Sequence, residues 1–261
     1  DPAVEMAHPP ERYIFADAQE VVRAAATLFV TVGQQAISKR ARFLVALSGG
    51  STPKALYMVL ASKEFATQLD WNKVHFLFGD ERAVPPTHQD SNFALANTLL
   101  FTPLNISATH IHRMRGEDSP ETAAIHYENL LRGLTATTSE QWPVLDLVLL
   151  GMGEDGHTAS LFPGTPALSE PTRWVVPGLA PQGTRSRITL TLGVINHASV
   201  VLFLVTGLNK ATVVRRIFES RADAPDAYPA ARIRPETGRL LWYFDRAAAS
   251  ALTEATDELS S

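Results

Sequence analysis

The chain contains no cysteine among its 261 residues. Disulfides, thiolate nucleophiles and cysteine-based zinc or iron–sulfur sites are therefore excluded. Positive charge is not in excess either, because 23 Lys and Arg face 27 Asp and Glu and the formal net charge is −4. We therefore expect no nucleic-acid partner, since such proteins carry a basic surface. An anionic ligand would have to be bound by a few local Arg and Lys side chains.

Long apolar runs are missing as well. No stretch of 18 apolar residues could span a membrane, and no basic segment followed by an apolar one resembles a targeting signal. We expect no membrane partner and a cytoplasmic location. The length suits one large α/β domain. We predict a loose, proline-rich arm over residues 1–10 and a single α/β domain over residues 11–261.

Several apolar runs share one design, in which the run is followed by Gly and polar residues and then by a helical pattern. The clearest runs are Arg42–Leu47, Val74–Phe78, Leu145–Leu150, Val200–Val205 and Leu240–Phe244. Their hydrophobicity is continuous, which indicates strands that are covered on both faces. Helical spacing predicts helices over residues 16–38 and 120–134. Together these patterns predict a Rossmann-like fold: a doubly wound, mostly parallel sheet with helices on both faces.

Three other segments have weaker patterns. Residues Arg185–Leu192 alternate between polar and apolar side chains, which predicts a strand. His110–His112 is interpreted as a short strand with its two histidines on alternate faces. Residues 221–234 are interpreted as a long loop within the domain. With His126, these histidines lack the spacing of metal ligands, so we expect no metal site.

The segment Leu149–Gly164 has the sequence LLGMGEDGHTASLFPG, which we interpret as a strand, a tight turn and the start of a helix. Three glycines within six residues indicate a shaped turn; they are Gly151, Gly153 and Gly156. The turn matches GxGxxG, but Asp155 stands where a pyrophosphate would lie, which argues against a dinucleotide. His157 follows a parallel strand at the edge where ligands bind, so we predict a chemical role. The alternative is a hydrogen-bonded structural histidine.

A second glycine turn follows the run that ends at Leu47. Gly49 and Gly50 are flanked by hydroxyl residues, including Ser51 and Thr52, at the predicted start of a helix. Free N–H groups and the positive end of the helix dipole make such a turn a natural anion pocket. The alternative is an ordinary connection between a strand and a helix.

Charged residues follow the run that ends at Phe78. We predict that Asp80 faces a substrate hydroxyl or a reacting centre and that Arg82 binds an anion. The alternative is a surface ion pair between Arg82 and either Asp80 or Glu81. Arg187 and Lys210 are further cations at predicted strand ends. This set of cations indicates a phosphorylated small molecule, and phosphoryl transfer is disfavoured because no Walker lysine or paired aspartates for magnesium are present.

Together these motifs resemble the 6-phosphogluconolactonases, in the fold group that also contains the glucosamine-6-phosphate isomerases. The matching motifs are SGGSTP at 48–53, GDER at 79–82, DSN at 90–92, GMGEDGHTASLFPG at 151–164, RITLT at 187–191 and TGxxK at 206–210. The resemblance runs from about Phe15 to Ala249. It implies hydrolysis of 6-phospho-D-glucono-1,5-lactone in the pentose phosphate pathway, without a cofactor, by a protein that we expect to be a monomer.

The resemblance also implies roles for individual residues. His157 resembles the catalytic general base and acid, and Asp80 resembles a carboxylate beside the sugar. Asp155 would orient the imidazole or stabilise the turn, and we favour the turn. The phosphate and sugar contacts would come from the backbone of Ser48–Thr52 and from three cations: Arg82, Arg187 and Lys210.

Two alternatives remain within this fold group. Glucosamine-6-phosphate isomerases and deaminases need a Glu five residues after the histidine, where this chain has Phe162. An aromatic ring cannot transfer a proton, so isomerisation is disfavoured. Non-catalytic sugar-phosphate sensors usually carry a helix-turn-helix before the sugar domain, and too few residues precede Arg42 to form one.

Overall fold

The computed structural model describes residues 6–138, 140–219, 227–253 and 257–258. The strands in this part of the chain are β1 (Glu11–Phe15), β2 (Phe43–Leu47), β3 (Val74–Phe78), β4 (Asp80–Arg82), β5 (Leu147–Leu150), β6 (Val175–Leu179), β7 (Ser186–Leu190), β8 (Val200–Val205), β9 (Arg239–Asp245) and β10 (Asp257–Glu258). The α-helices are α1 (Ala18–Arg40), α2 (Ser51–Leu60), α3 (Lys63–Ala66), α4 (Asn92–Ala96), α5 (Pro120–Thr135), α6 (Leu192–Asn196), α7 (Ala211–Glu219) and α8 (Arg246–Ala249).

A parallel sheet of seven strands organises the described residues, in the order β10-β1-β9-β8-β5-β2-β3. Every residue of β2, β5 and β8 is buried. Alternate side chains of β2 enter two different hydrophobic clusters, Leu44 and Ala46 on one face and Val45 and Leu47 on the other. The structure confirms the predicted doubly wound, mostly parallel sheet, because both faces of its central strands are covered.

The long helices begin and end where capping predicts. The side chain of Asp17 accepts from the amide of Glu20 at 2.9 Å and caps α1, which ends at Ala41 in the left-handed conformation with φ 63°. Ser119 caps α5, and Pro120 occupies its first turn. These helices lie within two residues of the predicted bounds.

A second sheet was not predicted. It has three antiparallel strands in the order β4-β7-β6. The segment predicted as a strand over Arg185–Leu192 forms β7 of this sheet, and the charged residues Asp80–Arg82, interpreted as a loop, form β4. Strand β1 was also missed because its half-buried sequence, ERYIF, has no continuous apolar run. These strands form because they pair with segments that are distant in the sequence, and a local sequence pattern does not reveal such pairing.

Two local predictions were wrong, and a third is tested only in part. His110 ends a 3₁₀ helix over Ala108–His110, and only Ile111 bridges the sheet edge, opposite Phe76. No helix follows Gly156, because Ala159 has φ 49° and Thr158 pairs with Leu161 across a tight turn. Within the predicted loop of 221–234, Pro229–Arg232 form a 3₁₀ helix. Residues 220–226 lie outside the described residues.

The part of the N-terminal arm that the structure describes contacts the domain. The amide of Ala7 donates to the carbonyl of Glu236 at 3.0 Å, and Met6 packs against the hydrophobic core. Residues 1–5 lie outside the described residues, so the boundary at residue 10 stays a prediction. Among the described residues, no helix is long and apolar enough to cross a membrane.

Three histidines stack at the outer edge of the parallel sheet. The ring of His75 on β3 lies 4.5 Å from the ring of His110 and 5.3 Å from that of His112, measured between centroids. Its Nδ1 lies 3.1 Å from Nε2 of His112. Burial, followed by the neighbouring His110, His112 and Arg42, lowers the pKa of His75 to about 4. Burial, and then the neighbouring His110, also lower the pKa of His112, so the neutral imidazole is favoured at both His75 and His112.

We expect His75→Phe to reduce the loss of stability that acid causes between about pH 6.5 and pH 4. An unfolded chain protonates this histidine near pH 6.5, whereas the folded chain does so only near pH 4. Between these values the unfolded state binds more protons, so stability falls as the pH falls. Phe keeps a stacked ring and removes the proton site. Thermal unfolding across this range tests the prediction, and an unchanged slope of melting temperature against pH would contradict it.

Candidate active site

The carboxyl ends of β2, β3, β5 and β8 meet at one edge of the parallel sheet, where they enclose a cavity of about 240 Å³. The cavity is lined by Ser48, Gly49, Gly50, Ser51, Thr52, Pro53, Asp80, Arg82, Asn92, Gly151, Met152, Gly153, His157, Ala159, Arg187, Leu204, Thr206 and Lys210. Every residue that the sequence predicted for the site lines this cavity except Asp155, which contacts His157. The separate turns converge because parallel strands end on the same side of a sheet.

The turn after β5 holds His157 close to its own backbone. The amide of Gly153 donates to the carbonyl of His157 at 2.9 Å, and the hydroxyl of Thr158 donates to the carbonyl of Gly151 at 2.8 Å. A Cβ on Gly153 would lie 2.2 Å from Nδ1 and Cε1 of His157. Only glycine leaves room for the imidazole at this position.

The imidazole of His157 is oriented by Asp155. Oδ1 of Asp155 lies 2.6 Å from Nδ1 of His157 and accepts from its amide at 3.0 Å. Although burial raises the pKa of Asp155, these hydrogen bonds outweigh it and hold that pKa below its usual value. Asp155 thus makes contacts suited to both roles considered for it, turn and ring, and does not line the cavity. Because Nδ1 is engaged, Nε2 is the nitrogen left for a substrate.

Lys210 reaches the same turn from the end of β8. Its Nζ donates to the carbonyl of Met152 at 2.7 Å. Lys210 ends a 3₁₀ helix over Leu208–Lys210, which is separated from β8 by Thr206 and Gly207. Within the described part of the chain it forms no ion pair. Its positive charge is therefore available to an anionic group in the cavity.

The glycine turn after β2 leads into α2 without a side-chain cap. Gly50 occupies the N-cap position with φ 111°, a conformation that favours glycine, and no side chain there accepts a hydrogen bond. The first amide groups of a helix have no partner within it. Gly49, Ser51 and Thr52 line the cavity, and the hydroxyl of Thr52 lies 2.9 Å from that of Thr206. This geometry is compatible with an anion pocket, and the binding of an anion here stays a prediction.

Arg82 and Arg187 are directly opposite each other in the small sheet, as partners of the β4–β7 pair. Burial, and then the like charge of Arg82, lower the pKa of Arg187. Nη1 of Arg82 donates to the carbonyl of Asp90 and to Oδ1 of Asn92, at 3.0 and 2.9 Å. Its buried Nε has no partner among the described residues. Among the described residues no ion pair joins Arg82 to Asp80 or Glu81, and the binding of an anion by Arg82 and Arg187 stays a prediction.

Asp80 is buried and joins two parts of the cavity wall. Its Oδ2 accepts from the hydroxyl of Ser160 at 2.6 Å, and its Oδ1 accepts from Nδ2 of Asn92 at 3.3 Å. Neighbouring Glu81 is buried, does not line the cavity and accepts hydrogen bonds from the start of α4. The predicted substrate contact of Asp80 stays a prediction.

Two residues that complete the site were missed by sequence reasoning. Asn92 contacts both Asp80 and Arg82, and it packs so closely that a Cβ on Gly49 would lie 2.0 Å from its Oδ1. Ser160 links Asp80 to the turn after His157. The DSN motif at 90–92, which begins a helix directly after GDER and a proline pair, was the available signal for Asn92. Ser160 lies within the motif at 151–164, but nothing in that motif indicated its contact with Asp80.

The described residues contain no group of three metal-ligating side chains that could hold a metal ion. The cavity instead combines four kinds of group: cations, an N-terminal helix turn, a carboxylate and an oriented imidazole. This combination can bind an anionic group at one place and transfer a proton at another.

Comparisons with known proteins show the family to which the chain is related. A family model described as "Glucosamine-6-phosphate isomerases/6-phosphogluconolactonase" matches residues 16–242. A 6-phosphogluconolactonase of Nostoc sp. is 41% identical over 241 residues, which cover 92% of this chain and 97% of the relative. One of Synechocystis sp. is 38% identical over 244 residues, covering 93% and 98%.

Solved structures give the same result. The chain is similar to a 6-phosphogluconolactonase from Trypanosoma cruzi, with a TM-score of 0.84 and 30% identity, over 95% of this chain and 99% of the other. A structure from Trypanosoma brucei has a TM-score of 0.83 and 29% identity, over 95% and 100%. A monomeric glucosamine-6-phosphate deaminase, 21% identical with a TM-score of 0.76 over 93% of this chain and 100% of the other, shares the fold.

Proposed function

The chain belongs to the family of glucosamine-6-phosphate isomerases and 6-phosphogluconolactonases, and on this premise we propose that it hydrolyses 6-phospho-D-glucono-1,5-lactone to 6-phosphogluconate. One observation carries the proposal beyond the family. An imidazole oriented by a carboxylate shares one cavity with three cations and an uncapped helix start. These groups suit the two ends of a phosphorylated lactone.

In the proposed mechanism, Nε2 of His157 takes a proton from water while the water oxygen bonds to C1 of the lactone. The tetrahedral oxyanion that forms then collapses, and the bond between C1 and the ring oxygen breaks. The proton held on Nε2 passes to the departing ring oxygen, which becomes a hydroxyl group. The new carboxylic acid ionises, and the neutral imidazole is restored.

Asp155 supports this cycle through its hydrogen bond at Nδ1. It keeps Nε2 directed at the cavity, and its negative charge stabilises the imidazolium that exists between the two proton transfers. Lys210 supplies positive charge beside the same turn. Arg82, Arg187 and the backbone of residues 49–52 are the proposed phosphate and sugar contacts, with Asp80 beside a sugar hydroxyl.

Isomerisation or deamination of an amino-sugar phosphate is the second candidate. It is disfavoured because Phe162 holds the position of the acidic residue that those enzymes need. Its ring lies 4.4 Å from the ring of His157. No proton can be relayed through it. The third candidate, a non-catalytic sugar-phosphate sensor, does not explain an imidazole oriented by a carboxylate.

A coupled assay with freshly prepared lactone tests the proposal. The phosphogluconate formed is followed beside an enzyme-free control, since the lactone also opens spontaneously. A parallel assay offers glucosamine 6-phosphate. Acceleration of lactone opening alone supports the proposal. Turnover of the amino sugar alone, or of neither compound, would reject it.

We expect Arg82→Ala to raise KM for the lactone by about tenfold to a hundredfold, the cost of losing a hydrogen-bonded charge contact of about 1.5–3 kcal/mol. kcat should change much less, because the phosphate keeps this contact in both the ground and transition states. Arg113→Ala is the matched control, since Arg113 pairs with Glu117 outside the cavity. An unchanged KM for Arg82→Ala would show that the phosphate does not bind at Arg82.

We also propose a cytoplasmic location and a monomeric protein without a nucleic-acid partner. The absence of cysteine supports the cytoplasmic location, and the negative net charge supports the lack of a nucleic-acid partner. Sedimentation at several concentrations would test the monomer.

A further inference from the structure

We propose that Phe162 is a positioning residue for the reaction. Its ring fixes the plane of the His157 imidazole and sets the distance between that imidazole and Arg187. The proposal rests on the proposed function, because it assumes that Nε2 of His157 transfers the proton. Phe162 therefore has a role of its own in the reaction, in addition to replacing the acidic residue of the isomerases.

The contacts of Phe162 set it apart from the other large apolar side chains in the described structure. It is only 4% exposed, yet it belongs to neither of the two hydrophobic clusters that cover the sheet. Its ring instead lies 4.4 Å from the ring of His157, with the planes inclined at 31°. The guanidinium carbon of Arg187 lies 5.7 Å from the centre of the same ring. Phe162 therefore lies close to two polar groups of the cavity.

The imidazole needs such a support. The torsion that turns a histidine ring about its Cβ–Cγ bond has a broad intrinsic preference. The hydrogen bond from Asp155 holds one edge of the ring, at Nδ1. A hydrogen bond at one edge still allows the ring to tilt about the line between the two residues, and the imidazole is 30% exposed on the cavity side. A ring packed against its face removes that tilt.

The position of Phe162 is itself held by its backbone. Its carbonyl accepts from both the amide and the hydroxyl of Thr165, at 3.3 and 2.8 Å. Arg187 is held in turn, because its Nε donates to the carbonyl of Thr184 at 2.7 Å. The aromatic ring thus connects two anchored groups and sets the spacing between the base and one of the cations.

The test compares Phe162→Leu with two controls. Phe162→Tyr keeps the aromatic ring, and Phe29→Leu removes the aromatic ring of a fully buried core residue outside the cavity. We expect Phe162→Leu to lower kcat by about tenfold to a hundredfold, as displacement of a catalytic group by about 1 Å does. The affinity for 6-phosphogluconate, measured by calorimetry, should change much less. Phe162→Tyr should restore most of kcat.

An NMR readout tests the contact between the two rings. In the wild type, the ring current of Phe162 should shift the imidazole resonances of His157, and Phe162→Leu should remove this shift. The inference is overturned if Phe162→Leu keeps the wild-type kcat, if Leu and Tyr lose it equally, or if Phe29→Leu loses as much. An inactive wild type would instead reject the proposed function, so the two failures are distinguishable.

Discussion

Replacement of His157 by Ala is expected to lower kcat for the lactone by about 10²–10⁴-fold, the usual contribution of a general base and acid. Ala removes Nε2, the nitrogen left for the cavity, while the turn keeps the hydrogen bond between the amide of Gly156 and the carbonyl of Gly153. The cations and the helix start are untouched, so 6-phosphogluconate should still bind with nearly its wild-type affinity. Loss of rate without loss of product binding is the result that the site predicts.

Measurement requires subtraction of the spontaneous opening of the lactone at each pH. His197→Ala is the matched control, because His197 stacks on Trp142 and does not line the cavity. If His157→Ala kept the wild-type rate above background, His157 would have no part in the mechanism. If it lost product binding as well, the imidazole would be a binding group and the proposed proton transfer would need another residue.

The central sheet was predictable because its strands are covered on both faces. Strands β2, β5 and β8 read as continuous apolar runs for this reason, and each run ends in glycine and polar residues. The small sheet was not predictable in the same way. Its strand β4 consists of three charged residues, and β6 contains Pro177 and Gly178, which local propensity disfavours in strands. Both strands exist because β7 pairs with them.

The site was predictable to the extent that its residues follow strand ends. His157, Arg82 and Lys210 each follow an apolar run, and a parallel sheet gathers such positions at one edge. The sequence could not show that Arg82 and Arg187 face each other, because that depends on the register of β4 against β7. Nor could it show that Ala159 turns the chain away from a helix, since alanine is the strongest helix former.

The residues that sequence reasoning missed act through other residues. Asn92 and Ser160 hold Asp80 and Arg82, and such supporting positions have no chemical motif of their own. Asp155 illustrates the same limit. Its place in the turn was predicted, but its contact with Nδ1 of His157 depends on a side-chain direction that only the folded turn defines.

Glu81 provides the sharpest test of the distinction between residues that take part in the reaction and residues that hold other residues in place. It is charged, lies in the GDER motif and stands beside Asp80, yet it is only 2% exposed. Oε1 accepts from the amides of Asn92 and Arg82 at 2.7 and 2.8 Å. Oε2 accepts from the amide of Phe93 and the hydroxyl of Ser91 at 2.9 and 3.0 Å. Burial raises the pKa of Glu81 despite these four bonds.

We expect Glu81→Ala to lower the free energy of unfolding by about 3 kcal/mol or more, because one buried amide, two partly buried amides and a buried hydroxyl lose their acceptor. Glu81→Gln should lose less, since it keeps the shape and one oxygen. Both variants should also raise KM, because the start of α4 carries Asn92, which holds Arg82. Denaturant unfolding and steady-state kinetics measure the two effects on the same samples.

Glu117→Ala is the matched control, because Glu117 forms a partly exposed pair with Arg113 and should contribute at most about 1 kcal/mol. A Glu81→Ala variant as stable as this control would show that the start of α4 needs no acceptor from β4. A fully stable Glu81→Gln variant with a large loss of kcat would have the opposite meaning. Glu81 would then act in the chemistry, and the assignment of support and catalysis within GDER would have to be reversed.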